Sequence, residues 1–255
     1  LFDEAAAEIG RAIASKPDYP EAYTTRGMIS LIQGRYREGW EDYEWRNASK
    51  SAKKDQPHFD LPVWRGEAVE GRHLLVVGEQ GLGDIVQFAR YLPLLARRGA
   101  KVTFLSQAKL VRLFEPLRAQ VALTAAIEDT KPFDYQIPLL SLPHRFGTDA
   151  ASIPGEVPYL RAEDALVARW STIGTQGFKI GIAWQGNMEG SADRARSFPL
   201  AEFAPLARLP GVRLISLQKG RGSEQIADLP SGVTVETLGA RSEEHTSELQ
   251  SRGLI

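Results

Sequence analysis

The fold of this chain is decided by residues 74–91, which have the sequence LLVVGEQGLGDIVQFARY. The first four residues are apolar without a polar interruption, a pattern typical of a strand buried on both faces of a parallel sheet. A glycine-rich stretch follows, and Asp84 then stands where a helix N-cap is expected, ahead of apolar residues at helical spacing. The segment therefore predicts a strand, a glycine turn and a helix that begins at Asp84.

Such a junction is a common place for an α/β protein to bind an anion or a sugar phosphate. Backbone N–H groups are exposed there, and the helix dipole favours negative charge. The spacing Gly78-x-x-Gly81-x-Gly83 differs from the dinucleotide pattern G-x-G-x-x-G, and no Gly-Lys-Ser/Thr follows. The second predicted strand also ends at Ser106 without an acidic residue to hold a ribose. These features disfavour a nucleotide-dependent oxidoreductase and a P-loop, and a tight turn with a capped helix and no ligand remains the alternative.

Composition narrows the function classes. The 255 residues carry a net charge of −1, so no global field attracts nucleic acid or an acidic membrane surface. Cysteine is absent and the four histidines lack ligand spacing, so we expect no disulfide and no metal site. No apolar run approaches the ~20 residues of a membrane span. The start at Leu1 lacks a Met and a signal-peptide n-region, and we expect a cytoplasmic protein whose chain begins upstream.

Residues 1–48 are predicted to be helical. Glu4-Ala5 and Glu38-Gly39 are 34 residues apart, which is the tetratricopeptide period. About three such repeats are needed for stability, so either repeats lie upstream or these helices dock on the next domain. The first possibility indicates a protein-binding scaffold and the second a packing extension, which we favour. Residues 49–72 are interpreted as a polar linker, whose lysines lack the interleaved aromatic residues of a nucleic-acid site.

The remaining chain alternates strands and helices. Within residues 73–160 we predict strands at 74–77, 102–105, 120–123 and 135–137, with helices at 85–98 and 109–113, a pattern typical of a doubly wound parallel sheet. Ser141 follows the last of these strands and should lie at the carboxyl edge, where such sheets bind ligands. Residues 161–240 repeat the pattern, with helices at 162–172 and 200–209 and strands at 179–184, 212–217 and 233–237. The predicted class is α/β: a Rossmann-like domain and the incomplete start of a second, preceded by a short all-α segment.

Several short motifs, in this order and spacing, resemble one family across residues 1–240. The family comprises bacterial tetratricopeptide-repeat proteins whose carboxyl part is similar to ADP-heptose:lipopolysaccharide heptosyltransferases, glycosyltransferases of the GT-B fold. The resemblance implies a nucleotide-diphosphate sugar as donor substrate, a sugar or protein acceptor, no cofactor, and a protein partner for the helices. The motifs are Glu79–Asp84 with Arg90-Tyr91, Ser141-Leu142-Pro143, Ile182–Gly186, Arg196–Leu200 and Ser216-Leu217-Gln218.

The resemblance also implies residue roles. Asp84 would be the general base that takes the proton from the acceptor hydroxyl, and Arg196 would hold the donor phosphates. A plain N-cap remains the alternative for Asp84, and loop charges paired with Asp193 or Glu189 remain the alternative for Arg194 and Arg196. The family's later Asp-Thr-Gly/Ala and His motif has no match here. The predicted substrate-binding residues are Gln80, Gly81, Gly83, Gln87, Arg90, Ser141, Trp184, Gly186, Arg194, Arg196, Gln218 and Lys219, and no metal ligand is predicted.

Residues 241–255 fit nothing before them and correspond to the translation of a sequencing adapter. We interpret them as a non-native tail that makes few contacts, with a short polar helix capped by Ser242 as the alternative. On this interpretation the second Rossmann-like unit is cut short, and the 255-residue chain should not transfer sugar. The alternative function is a tetratricopeptide-linked scaffold whose Rossmann-like part binds a ligand without turnover.

Overall fold

The computed structural model describes residues 2–49, 57, 59–174, 176–186 and 196–239, and of Thr172 only the backbone. The chain divides into two compact units, Leu1–Ala162 and Glu163–Ile255. The predictions for Arg194 and for the tail at 241–255 lie outside the described residues. Within the described ranges, no helix is long and apolar enough to cross a membrane.

The first unit begins with closely packed helices, as the sequence predicts. Glycine permits the close approach of the second and third helices: a Cβ at Gly27 would lie 2.8 Å from the backbone N of Tyr43, and one at Gly39 would lie 2.7 Å from Cγ of Leu31. The elements are α1 (Phe2–Ser15), α2 (Pro20–Ile32), α3 (Tyr36–Tyr43) and a 3₁₀ turn (Glu44–Ala48).

The described residues of the first unit form a four-stranded sheet in the order β3-β2-β1-β4, and all its pairs are parallel. Its central strand buries the apolar run 74–76 completely. The chain runs outward from β1 to β3 and then crosses to the other side of β1, so the topological switch point lies between β1 and β4. The strands lie within one residue of the predicted bounds: β1 (His73–Val77), β2 (Lys101–Leu105), β3 (Val121–Thr124) and β4 (Tyr135–Pro138).

The helix predicted over 85–98 begins earlier and is interrupted. Proline lacks an N–H, so Pro93 cannot donate to the carbonyl of Ala89, and the chain forms a 3₁₀ turn over Ala89–Tyr91. The short helix predicted over 109–113 likewise starts one residue early and continues as a 3₁₀ turn. The helical elements are α4 (Leu82–Phe88), α5 (Leu92–Arg97), α6 (Ala108–Val111) with a 3₁₀ turn (Arg112–Leu117), and a 3₁₀ turn (Leu139–Ser141) leading into α7 (Leu142–Arg145).

The prediction of a polar linker over 49–72 is wrong for its second half. Trp64 is 1% exposed and Val69 4% exposed, and both belong to the core beneath the first sheet. The backbone N–H of Trp64 donates to the carbonyl of Gln136, and the N–H of Gln136 donates to the carbonyl of Pro62. This stretch therefore forms a bridge along the outer edge of β4, and the helices, the stretch and the sheet belong to one unit.

The second unit has the predicted α/β pattern with shorter elements. Its described strands form a three-stranded parallel sheet in the order β5-β6-β7, with a core that includes Ile182, Trp184 and Leu214. The helix predicted over 200–209 starts as a 3₁₀ turn before Pro205. The elements are α8 (Asp164–Trp170) with a 3₁₀ turn (Ser171–Ile173), β5 (Phe178–Ile182), a 3₁₀ turn (Leu200–Phe203), α9 (Ala204–Ala207), β6 (Val212–Ser216), a 3₁₀ turn (Ser223–Asp228) and β7 (Val235–Glu236). The mixed α/β class with parallel sheets is confirmed.

Candidate functional site

The glycine stretch after β1 forms the predicted turn into α4. The N–H of Gly78 donates to the carbonyl of Leu105 at 2.8 Å, and a Cβ at Gly78 would lie only 3.0 Å from that oxygen. Gln80 has a φ of 64°, a left-handed conformation that residues other than glycine adopt rarely. The turn therefore passes close to β2 and then adopts a strained conformation at Gln80.

The sequence predicts that Asp84 is the N-cap of the helix, but in the structure it is the third residue of the helix. The helix begins at Leu82 and its N-cap is Gly81. The half-buried Asp84 side chain reaches back, and its Oδ2 accepts the N–H of Gly81 at 3.1 Å. A carboxylate in the first turn also interacts favourably with the helix dipole. The Asp84 side chain thus caps the first turn of α4, and its carboxylate lies beside the glycine turn that precedes the helix.

A buried ion pair lies at the switch point between β1 and β4. Nη2 of Arg46 lies 2.6 Å from Oε1 of Glu79, and the two side chains are 6% and 0% exposed. The same Glu79 oxygen accepts the N–H of Leu140 at 3.1 Å, and Nη2 of Arg46 donates to Oγ of Ser141 at 3.0 Å. Arg46 belongs to the helical region, which comprises α1, α2, α3 and the 3₁₀ turn that follows them. Its guanidinium therefore occupies the crevice where doubly wound sheets usually bind ligands.

Alternating charges continue outward from this pair. Nη1 of Arg46 donates to Oε1 of Glu44 at 3.0 Å, and Nη2 of Arg145 donates to Oε2 of Glu44 at 2.9 Å. Burial by itself would lower the pKa of Arg46, but the carboxylates of Glu79 and Glu44 outweigh it and hold that pKa above its usual value. The guanidinium therefore remains charged, and its buried charge is paired on more than one side.

Tyr43 of the helical region also forms hydrogen bonds with Gln80, the strained residue of the glycine turn. The Tyr43 hydroxyl donates to Oε1 of Gln80 at 3.1 Å and accepts from its Nε2 at 2.9 Å. Burial raises the pKa of Tyr43, so the hydroxyl remains protonated and able to donate. The Trp40 ring packs edge-on against Tyr43 and against Phe88 of α4, with ring centroids 6.3 and 6.0 Å apart. These contacts favour the packing-extension interpretation of the helices.

The other predicted site residues of the first unit divide into two groups. Gln80, Gly81, Gly83 and Gln87 are exposed around the turn and the first turns of α4. Arg90 instead lies over the Tyr159 ring, 4.9 Å from its centroid, and donates to the carbonyls of Gln87 and Pro154. Ser141 is only 2% exposed, and its hydroxyl accepts from Arg46. Arg90 and Ser141 therefore make contacts inside the protein. The first group is exposed, and of its members Gln80 is also bound by Tyr43 through its side chain.

In the second unit, the predicted residues after β5 and β6 bind mainly to one another. The Gln218 amide accepts the N–H groups of Trp184 and Gln185 at 3.1 Å each and donates to the carbonyls of Gln185 and Arg221 at 2.9 Å. The indole of Trp184, which is 1% exposed, donates to the carbonyl of Gly222.

The remaining predicted residues of this unit lie nearer the surface. The N–H of Gly186 donates to Oγ of Ser197 at 2.9 Å. Arg196 and Lys219 are exposed cations. Among the residues that the structure describes, no group of three or more His, Cys, Asp or Glu side chains could hold a metal ion.

Sequence reasoning missed the Arg46–Glu79 pair. A signal was present, because Glu79 lies two residues after the end of a buried strand, and a carboxylate in that position requires a partner if the turn is buried. The identity of the partner was not accessible, since Arg46 is one of 31 lysines and arginines and lies 33 residues away. Its aromatic neighbours Trp40 and Tyr43 pack in the core of the first unit.

The comparisons with known proteins give one similarity. The chain is 33% identical over 242 positions to Protein FlbA of Caulobacter vibrioides, a match that covers 85% of this chain. The chain spans 40% of the length of that relative. No family model and no solved structure match the chain.

Proposed function

We propose that this chain is part of a heptosyltransferase-like glycosyltransferase of the GT-B type, with Asp84 on the acceptor side as general base. The observation that carries the proposal is the hydrogen bonding of the two Asp84 carboxylate oxygens. Its Oδ2 is held by the N–H of Gly81, whereas its Oδ1 accepts no hydrogen bond from the described part of the chain. The carboxylate is half-buried at the carboxyl end of the central strand, a usual location for ligands in such sheets.

In the proposed reaction Oδ1 of Asp84 takes the proton of the acceptor hydroxyl. The hydroxyl oxygen forms a bond to the anomeric carbon of the donor, and the bond from that carbon to the nucleotide diphosphate breaks. A positioned base contributes about 10²–10⁴-fold in rate. The leaving diphosphate requires cations or N–H groups, a role that the resemblance assigns to Arg196. Arg194 is assigned to the same role on the resemblance alone.

The crevice at the switch point supports the assignment of the first unit to the acceptor. Arg46 and Glu79 occupy the place where a dinucleotide would lie, so a nucleotide is not expected between β1 and β4. The exposed residues around Asp84 suit a hydroxyl-bearing acceptor, a sugar or a protein side chain. The tetratricopeptide assignment of the helices, a protein partner for them and the cytoplasmic location belong to the same proposal.

The test is release of nucleotide diphosphate from a panel of nucleotide-diphosphate sugars. It uses the longest natural form of the protein that contains residues 1–240, with simple sugars and peptides as acceptors. Asp84→Asn should lower turnover about 10²–10⁴-fold, with little change in melting temperature. Asp149→Asn is the matched control, because the Asp149 carboxylate also accepts backbone N–H groups, those of Ala151 and Ser152, in another loop of the same unit. Equal losses of activity and stability in Asp84→Asn would favour a capping role only.

A binding module without turnover is the second candidate. The observation that favours it is that Ser141, Trp184 and Gln218, which the resemblance assigns to substrates, are engaged inside the protein. In addition, a groove of about 510 Å³ lies on the helical region, lined by residues that include Tyr23, Arg26 and Trp45. Saturable binding of a nucleotide-diphosphate sugar without release of the diphosphate, in wild type and Asp84→Asn alike, would select this function.

A further inference from the structure

We propose that Tyr43 is a positioning residue for Asp84, acting from the helical region through the strained turn. This inference rests on the proposed function, because it concerns the carboxylate assigned there as the base. The contacts run from the Tyr43 hydroxyl to the amide of Gln80, through the adjacent peptide to the N–H of Gly81, and from there to Oδ2 of Asp84. Each step is a hydrogen bond or a covalent link.

The strain at Gln80 explains why such support is required. Gln80 is the residue other than glycine that has a positive φ in the described part of the chain. A left-handed conformation of this kind persists only where surrounding contacts determine it, and such residues cluster at functional sites. The two hydrogen bonds to Tyr43 hold the side chain of this residue. Because the Gly81 N–H follows directly in the chain, its direction depends on the Gln80 conformation.

The supporting residues are themselves fixed. The Arg46 guanidinium lies 4.7 Å from the centroid of the Tyr43 ring and donates to the Tyr43 carbonyl at 3.1 Å. Its ion pair with Glu79 holds the residue just before Gln80 in the buried crevice. Both sides of the Tyr43–Gln80 contact are thereby tied to one buried pair, so the turn cannot shift freely relative to the helices.

The test uses the conservative variant Tyr43→Phe, which removes the hydroxyl and keeps the ring. Tyr91→Phe is its matched control. Tyr91 is also a buried tyrosine of the same core, and its hydroxyl lies 3.0 Å from Oγ1 of Thr148, away from the turn. Tyr43→Phe removes the two hydrogen bonds to Gln80, and Tyr91→Phe removes the one to Thr148. Both variants therefore lose the hydrogen bonding of a tyrosine hydroxyl while the ring is kept, so a general loss of stability affects both.

The readout is the backbone amide resonance of Gly81 in ¹⁵N-labelled protein, compared with and without Asp84→Ala. In the wild-type and Tyr91→Phe backgrounds, Asp84→Ala should displace this resonance because the N–H loses its acceptor. In the Tyr43→Phe background the displacement should be largely lost, because the N–H no longer points at Asp84. Arg46→Lys provides a second, stronger perturbation with the charge retained, and it should reduce the displacement in the same way.

Equal displacements in the Tyr43→Phe and Tyr91→Phe backgrounds would overturn the proposal, as would a Gly81 resonance that ignores Asp84→Ala in wild type. The measurement requires no sugar substrate, so its failure is distinguishable from failure of the proposed function. Where transfer is detected, Tyr43→Phe should lower kcat with KM unchanged, whereas Tyr91→Phe should leave both unchanged. Equal effects of the two variants on kcat would count against the positioning role.

Discussion

Arg46 and Glu79 are separated by 33 residues in the chain, yet their charged groups meet at 2.6 Å in a site almost closed to solvent. The arginine comes from the turn that ends the helical region, and the glutamate from the glycine turn after the central strand. Because Glu79 also accepts the N–H of Leu140, this pair joins the helices to the carboxyl ends of both β1 and β4. The helical region is thus a structural part of the candidate site.

Removing the Arg46 charge should destabilise the first unit strongly. Arg46→Met leaves Glu79 buried without its cation, and such a loss costs about 3–5 kcal/mol. Arg118→Met is the matched control, because Arg118 and Glu115 also lie 2.6 Å apart but are 50% and 45% exposed. An exposed pair of this kind is worth about 0–1 kcal/mol.

The two arginine variants can be compared by hydrogen exchange of the buried β1 amides during urea unfolding, which reports on the first unit alone. The structure requires a clear difference between them. Similar small losses in both would mean that the Arg46–Glu79 pair contributes no more than a surface contact.

Gly81→Ala should disturb the carboxylate more than the fold. A Cβ at Gly81 would lie 2.9 Å from Oδ2 of Asp84, so the end of that side chain must move away. The φ of Gly81 is −75°, which alanine adopts readily, so the melting temperature should change little. Gly83→Ala should leave Asp84 in place and stabilise the helix by up to about 1 kcal/mol.

A crystal structure of the Gly81→Ala variant, or the side-chain carboxyl resonance of its Asp84, checks the displacement. In the proposed enzyme, turnover should fall for Gly81→Ala. An unmoved carboxylate in Gly81→Ala would contradict the geometry described for the turn.

Stability should decrease as the pH falls below about 6.5, the ordinary pKa of histidine, through His144. Burial, reinforced by the charge of Arg145, lowers the pKa of this imidazole in the folded protein. The unfolded chain therefore binds more protons in the window beneath the unfolded pKa, and folding loses free energy there as the pH drops. Urea midpoints at pH 7.5 and 5.5 should differ less in His144→Gln than in wild type. The same pH dependence in both proteins would remove His144 as its source.

Gln218→Ala should destabilise the second unit and leave the first unchanged. The amide joins the backbone of the loop after β5 to that of the loop after β6, and its loss leaves several polar groups without partners at about 1–3 kcal/mol. Gln218→Glu keeps the acceptor for the N–H groups of Trp184 and Gln185 but not the donor, so its loss should be smaller. Hydrogen exchange in β5 and β6 measures both, and equal losses would assign the effect to the donor side alone.

The strands could be predicted because their signal is local. The apolar run 74–77 and the stretch 102–105 predict buried strands by themselves, and the structure places β1 and β2 within one residue of them. Helix continuity was harder to predict, because Pro93 and Pro205 each remove one backbone donor within an otherwise helical pattern. The stretch containing Trp64 was assigned to a linker because it begins with polar residues. Its bridge to Gln136 joins distant parts of the chain, so the local pattern does not indicate it.

The candidate site shows the same division between local and distant information. Asp84 could be located beside the turn from sequence, but its place as third residue of the helix depends on Gly81 serving as the N-cap. The contact between Tyr43 and Gln80 could not be predicted, because it joins residues 37 positions apart and arises from the docking of α3. Pairings of this kind are set by tertiary packing, which a pattern of neighbouring residues does not encode.

The bridge beside β4 has a consequence for self-association. Without it, β4 would present a row of unpaired backbone groups along one border of the first sheet, a template for pairing with another copy of the chain. Backbone bonds from Pro62 and Trp64 to Gln136 take up part of this border, and the Gln136 side chain donates to the carbonyls of Phe59 and Leu61 just beyond. The segment that leads from the helices into the sheet thus covers part of the β4 border and limits edge-to-edge pairing there.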